Sequence, residues 1–251
     1  RPKVFVMENV PGLIRLFGGK VKEQVLNDFS SLGYRVKVQQ LSSDDYGVPQ
    51  QRKRVFFVGV NAEKISKKNE FEFPKAEYGD GMKPYVTCKE AISDLDFVPD
   101  DVSLGENIAY KIPAQSEYQN LMRKGSHSIK NHSITIHKEQ TKKIIAMVPD
   151  GGNYKDLPIE LQNTRKVHIA WTRMNSEKPC FTIDTGHNHH FHYKENRVPT
   201  VRESARIQSF PDKFEFIGIK TSQLKQVGNA VPPLMARAIA KEVIKTIGDT
   251  R

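Results

Sequence analysis

Residues 4–13 read VFVMENVPGL. The run Val4 to Met7 is short, continuous, apolar and partly β-branched, which predicts a buried strand. It ends abruptly at Glu8 and Asn9, and a Pro-Gly turn follows. The next pieces fit around that strand. Val21 to Leu32 has helical spacing, with Val21, Val25, Phe29 and Leu32 on one face and Gly33 as a natural stop. Tyr34 to Leu41 alternates as a strand, SSDDYGVPQQRKR is a polar loop, and Val55 to Val60 (VFFVGV) reads as another buried strand. Strand, helix, strand, loop, strand is a fragment of an α/β sheet. A carboxylate at the C-terminal end of such a strand lies where open α/β sheets hold ligands. Alone, Glu8 reads better as a helix-capping or loop-stabilising residue.

The composition narrows the class. The chain has 251 residues, 37% apolar and 27% charged, enough for one large or two smaller domains. No apolar run approaches the ~20 residues of a membrane helix, and the first residues carry no secretory pattern. Two cysteines, Cys88 and Cys180, form no disulfide framework, which points to a reducing cytoplasm. The net charge is +10, which favours a polyanionic partner. Met122 to Arg173 holds ten Lys/Arg against four Asp/Glu, a surplus of six in a fifth of the chain. A solvated lysine-rich face would give the same count.

Further along, 61–84 is polar, rich in turn residues and reads as a linker. Thr87 and Glu90 form a capping box, as do Thr200 and Glu203. From about Asp96 to Arg197 the text is irregular, with short strands and many His and Asn: a second, loop-rich domain. A final helix begins at Pro232 and Pro233. It carries Ala236, Ala240, Val243 and Ile247 as a stripe and closes at Gly248. Gln50, Arg52 and Arg54 alternate before VFFVGV, so period 2 places them on one face. Two guanidiniums and an amide suit a planar, acceptor-rich ligand such as a nucleobase or a phosphate; a charge-blunted edge strand is the plainer reading.

Taken in order, ENV, DYGVPQQRKRVFFVG, TVRESARIQSFPD and VGNAVPP resemble the later motifs of the cytosine-C5 DNA methyltransferases, most like the bacterial modification enzymes. The resemblance covers nearly the whole chain and matches the C-terminal two-thirds of such an enzyme. It implies an α/β fold: part of a Rossmann-like AdoMet-dependent sheet plus a smaller, loop-rich target-recognition domain. Residues 1–84 would be the C-terminal half of the catalytic domain, 85–196 the recognition domain, and 197–251 a segment returning to the catalytic domain. The family's glycine-rich AdoMet strand and its Pro-Cys-Gln nucleophile would precede ENV. Neither occurs here, and Pro179-Cys180 is followed by Phe181. The expectation is a missing N-terminal half, as a subunit or a removed segment. Without it Val4 to Met7 would be an exposed edge that aggregates, dimerises or needs a partner.

The resemblance also assigns roles. Glu8 matches the glutamate at N3 and the exocyclic amine of a flipped cytosine, and Arg54 the arginine at its O2. Arg52 and Gln50 would brace the loop or touch phosphate, with Asn9 holding the strand end. Asn229 and Ala230 match the motif beside S-adenosylmethionine, the co-substrate. Readout of duplex DNA would fall to Arg165, Arg173, His187, Asn188 and His189, with phosphate contacts from the basic stretch. The histidine cluster 187–192 lacks zinc-like spacing, so no metal is expected. The setting would be a bacterial cytoplasm, at the nucleoid, in a restriction-modification system. The rival readings are a non-catalytic DNA-recognition module and, less well matched, a tRNA cytosine methyltransferase.

Overall fold

The computed structural model describes residues 1–97, 107–162, 171–186 and 190–248. The chain divides into two compact units. Unit 1 takes residues 1–47, 52–83 and Leu234 onward; unit 2 takes Val48–Gln51 and Pro84–Pro233. The first boundary falls where the linker was expected to end. The return to unit 1 comes at Leu234, later than 197.

Unit 1 is built on β1 (Val4–Asn9), α1 (Lys20–Ser31) and β2 (Tyr34–Ser42). After β3 (Gln50–Gln51), which belongs to unit 2, β4 (Lys53–Asn61) completes its sheet. The order is β1-β4-β2, with β4 antiparallel to both neighbours, so β1 and β2 run parallel. The central strand is the apolar one, as it must be with both edges paired and both faces covered. Val55, Phe56, Phe57, Val58 and Val60 are all buried. Gly59 is required there. A Cβ would come within 2.0 Å of the Phe5 ring, which stacks on Phe29 at 4.1 Å and meets Tyr34 edge-on at 5.1 Å.

Three expectations are corrected in this unit. The strand at Val4 runs on through Glu8 and Asn9, and it is half-buried rather than buried, with Val6 46% exposed. It pairs with β4 alone among the described residues. Residues 61–83 are no linker: Ile65 and Phe71 are buried, the Tyr46 hydroxyl donates to Pro74 O (2.9 Å), and the Glu77 amide to Asp45 O (2.9 Å). On α1, Val21, Val25 and Phe29 are half-buried, but Leu32 falls past the helix end and is exposed.

Unit 2 contains α2 (Cys88–Ile92), α3 (Glu117–Arg123), α4 (Glu139–Met147), α5 (Ile159–Gln162), β5 (Thr172–Arg173), β6 (Cys180–Phe181), β7 (His190–Phe191), α6 (Val201–Ile207) and α7 (Lys220–Asn229). Its strands are two residues long and pair in parallel, β3 with β6 and β5 with β7. Both expected capping boxes are formed, Thr87 with Glu90 and Thr200 with Glu203. Ile145, Val148, Leu157, Trp171, Phe191 and Val198 make one apolar core.

The last helix, α8 (Pro233–Ile247), is where expected and Gly248 follows with φ +76°. Its buried residues are Met235, Ile239 and Thr246, whereas Ala236, Ala240 and Ile247 are exposed. The buried face is the stripe shifted by one residue, about 100° around the axis.

Candidate base-binding site

Glu8 is the last residue but one of β1 and Arg54 the second of the antiparallel β4, so pairing brings 46 residues of separation down to one contact. Arg54 Nε lies 2.9 Å from Glu8 Oε1, and both side chains are mostly shielded. Burial lowers the Arg54 pKa; the Glu8 carboxylate opposes that by charge and hydrogen bond. Arg52 is buried too. Its pKa falls to about 10, through burial first and repulsion from Arg54 second, with Glu8 again opposing. The Arg52 backbone is clamped to Ser43: its amide donates to Ser43 Oγ (3.1 Å), and its carbonyl accepts from the Ser43 amide (3.1 Å). Asn9 Oδ1 accepts from the Val10 amide at 2.8 Å and so fixes the strand end just past Glu8.

Two guanidiniums against one carboxylate leave this corner net positive at the C-terminal ends of the two parallel strands. A half-desolvated site of that kind holds hydrogen bonds to charged groups more strongly than water does. It offers a donor fork and a carboxyl to one planar, heteroatom-rich ligand.

The other expected site residues fare differently. Gln50 is fully buried in unit 2. Its amide nitrogen donates to Gln208 Oε1, and its Oε1 accepts from the Ile183 amide (3.1 Å). It holds β3 and β6 beside α6 and is unavailable to DNA. Arg173 is likewise internal. Its five donors reach Val148 O (2.7 Å), His192 O (2.9 Å), Glu195 O (3.2 Å), Ile145 O (2.6 Å) and Asn196 Oδ1 (2.9 Å). A guanidinium spent on carbonyls cannot also read a base. Arg165, His187, Asn188 and His189 lie outside the described residues.

At the Gly-Asn turn, Gly228 is needed for packing, because a Cβ would come within 2.6 Å of Asp184 O. The Ala230 carbonyl accepts from Gln208 Nε2 (2.7 Å) and its amide donates to Val227 O (3.3 Å). That leaves the exposed Asn229 side chain as the group of this turn that can face a co-substrate. It fits as one edge of an AdoMet pocket and does not make a pocket by itself.

Neither cysteine has the setting of a nucleophile. Cys88 and Cys180 are free and buried, and burial pushes the Cys180 thiol well up, with Cys88 adding to it. An attacking thiol needs the opposite shift.

Local pattern did not reveal the buried ionic network of unit 2. Arg206 spans Asp94 and Asp212, and Arg197 pairs with Glu203 at 2.6 Å beside His192. The signal available was RESARIQSFPD, where charged residues recur inside a short capped helix.

The fold is a mixed α/β fold of the Rossmann-like class seen in methyltransferases. The structure is similar to a DNA modification methyltransferase encoded within an E. coli prophage, with a TM-score of 0.72 at 24% identity, covering 98% of this chain and 70% of that one. The chain belongs to the C-5 cytosine-specific DNA methylase family, which matches residues 1–245. Among its relatives are the Type II methyltransferases M1.HphI of Haemophilus parahaemolyticus, 36% identical over 98% of this chain, and M.NgoFVII of Neisseria gonorrhoeae, 32% identical over 99%. The chain spans 57% and 60% of the lengths of those two relatives. Among the described residues, no helix is long and apolar enough to cross a membrane.

Proposed function

We propose that this chain is the C-terminal part of a DNA cytosine-C5 methyltransferase and supplies its base-binding and target-recognition groups. The observation that carries this reading is the Glu8–Arg54 contact at 2.9 Å, with Arg52 behind it. C5 of cytosine is a poor nucleophile until a thiolate adds to C6. That addition pushes electron density toward O2 and N3. Arg54 donates to O2, where negative charge builds. Glu8 takes up a proton from solvent as it leaves Arg54, then donates a hydrogen bond to N3 and accepts from the exocyclic amine. Cytosine binding thus trades the Glu8–Arg54 ion pair for one contact from each side chain to the base. Asn9 keeps the strand end in place, and Arg52 adds positive charge behind the pair. AdoMet, when bound, supplies the methyl group, and Asn229 would stand beside it.

The base must leave the duplex to reach this corner, at a cost of a few kcal/mol. Phosphate contacts from the basic Met122–Arg173 stretch offset part of that. The thiolate comes from a cysteine outside these 251 residues, a reading supported by the burial of both thiols here and by the raised pKa of Cys180. The half-exposed β1, with Val6 exposed on it and Val10 exposed just past its end, is in keeping with a further part of the sheet docking there.

The test is tritium transfer from labelled AdoMet by the full-length protein to duplex DNA and, separately, to tRNA. Label on cytosine C5 of DNA, lost in Glu8→Gln, supports the proposal. Label on tRNA alone assigns the other substrate, and binding without transfer leaves a recognition module.

A further inference from the structure

Arg173 raises a question that its structural role does not answer. Four of its five hydrogen bonds close loops onto backbone carbonyls; the fifth goes to the side chain of an exposed residue, Asn196. A guanidinium has only donors, so the atom facing it is the Asn196 oxygen, and the NH2 is turned the other way. The Asn196 side chain makes no other hydrogen bond among the described residues. It borders a groove of unit 2 of about 760 Å³, lined also by Asp96, Phe97, Lys111, Ile136 and Lys142.

The groove has the parts of a nucleic-acid surface. Lys111 Nζ sits 5.3 Å over the Phe97 ring. Lys142 lines the groove from α4, in the stretch with the six-charge surplus, and pairs with the neighbouring Glu139 at 2.9 Å. Ile136 is 83% exposed, an apolar contact at the rim. Asp96 is tied up by Lys194 Nζ (3.0 Å) and the Tyr193 hydroxyl, and Arg197 by Glu203. Glu195 is the remaining carboxylate on the lining. A buried arginine that locks one exposed amide removes its rotamer freedom before binding, which is what selective readout requires.

We propose that Asn196 is a specificity-determining residue, its NH2 donating to an acceptor on a base edge of duplex DNA held in this groove, with Arg173 as its positioning residue. The inference rests on the DNA reading above. It replaces Arg173 and Gln50, both internal, as candidate readers.

Asn196→Asp tests it. Aspartate keeps the oxygen that Arg173 holds and replaces the donor with an acceptor, so the fold is retained. Asn196→Ser, with a short hydroxyl, is the second variant, and thermal melting confirms that each is folded. Full-length wild type and variants are each used to select from a randomised duplex library, and the enriched pools are sequenced. Any uniform loss from added negative charge cancels in the ratio of bases at one position. The expected result is that preference at a single base pair falls about tenfold in the variants, with the other positions kept. Equal weakening for all sequences would mean a phosphate contact and overturn the readout claim, as would an unchanged preference. If wild type selects no sequence while holding duplex, the inference fails alone. If wild type does not bind duplex at all, the proposed function fails with it.

Discussion

Replacing Arg206 by methionine should unsettle unit 2 more than any surface change. Arg206 is fully buried and uses all its donors. Nε and Nη2 reach the two Asp212 oxygens at 2.5 and 2.6 Å, Nη1 and Nη2 reach Asp94 at 3.1 and 3.2 Å, and Nη1 also reaches Ala91 O at 3.0 Å. The two carboxylates raise its pKa despite the opposing effect of burial. Without it, Asp212 keeps the Tyr110 hydroxyl (2.6 Å) and Asp94 keeps Arg123. Breaking a buried pair by removing one partner costs about 3–5 kcal/mol, because charge is left buried and uncompensated. At a urea slope of ~3 kcal/mol/M the unfolding midpoint should drop by about 1 M or more. The triple change Arg206→Met, Asp94→Asn, Asp212→Asn should recover part of that loss, since both buried carboxylate charges go with the guanidinium and Arg123 alone loses its charged partner. The assay is urea unfolding followed by circular dichroism. A midpoint shift under about 0.3 M, or a triple variant no better than the single, would refute the reasoning.

Other outcomes follow from the same structure. His192 is buried and its pKa falls to about 4, from burial first, with Glu203 opposing and Arg197 adding to the fall. The unfolded histidine, near 6.5, binds the proton first, so stability is full above that value and declines as pH drops toward 4. The decline should be about 2–3 kcal/mol between pH 7 and 4.5, read by urea unfolding at both pH values, and flatter in His192→Gln. Arg54→Lys removes the Nε–H that holds Glu8 at 2.9 Å and should cut methyl transfer by the full-length protein by about 10²–10³, measured as kcat with labelled AdoMet. Cys180→Ala should leave kcat within about threefold, because removing a buried, unactivated thiol touches no reacting atom; a complete loss in a folded variant would make Cys180 the nucleophile.

Legibility varied with the range of the interaction. Strand β4 was plain because its burial is continuous, and both capping boxes were plain because a cap is a four-residue event. The face of α8 was misread since Met235 and Ala236, and Ile239 and Ala240, offer two apolar stripes one residue apart; packing, not spacing, chose between them. Residues 61–83 read as linker because Ile65 and Phe71 are their two buried apolar residues, and the rest of their anchoring is hydrogen bonds to distant residues. Arginines are the hardest to place. The sequence shows a charge, but Arg173 is consumed by carbonyls 19 to 28 residues away, and Arg206 by Asp94 at 112. Glu8 and Arg54 were joined by family resemblance, and the antiparallel register of β1 on β4 supplies the physical reason.

The most direct test of the account is methyl transfer to duplex DNA by these 251 residues alone, and then mixed with a fragment supplying the family's AdoMet strand and Pro-Cys-Gln loop. The account predicts no label from the chain alone and label at cytosine C5 on mixing, abolished by Glu8→Gln. Transfer by the chain alone, or transfer on mixing that ignores Glu8→Gln, would contradict it.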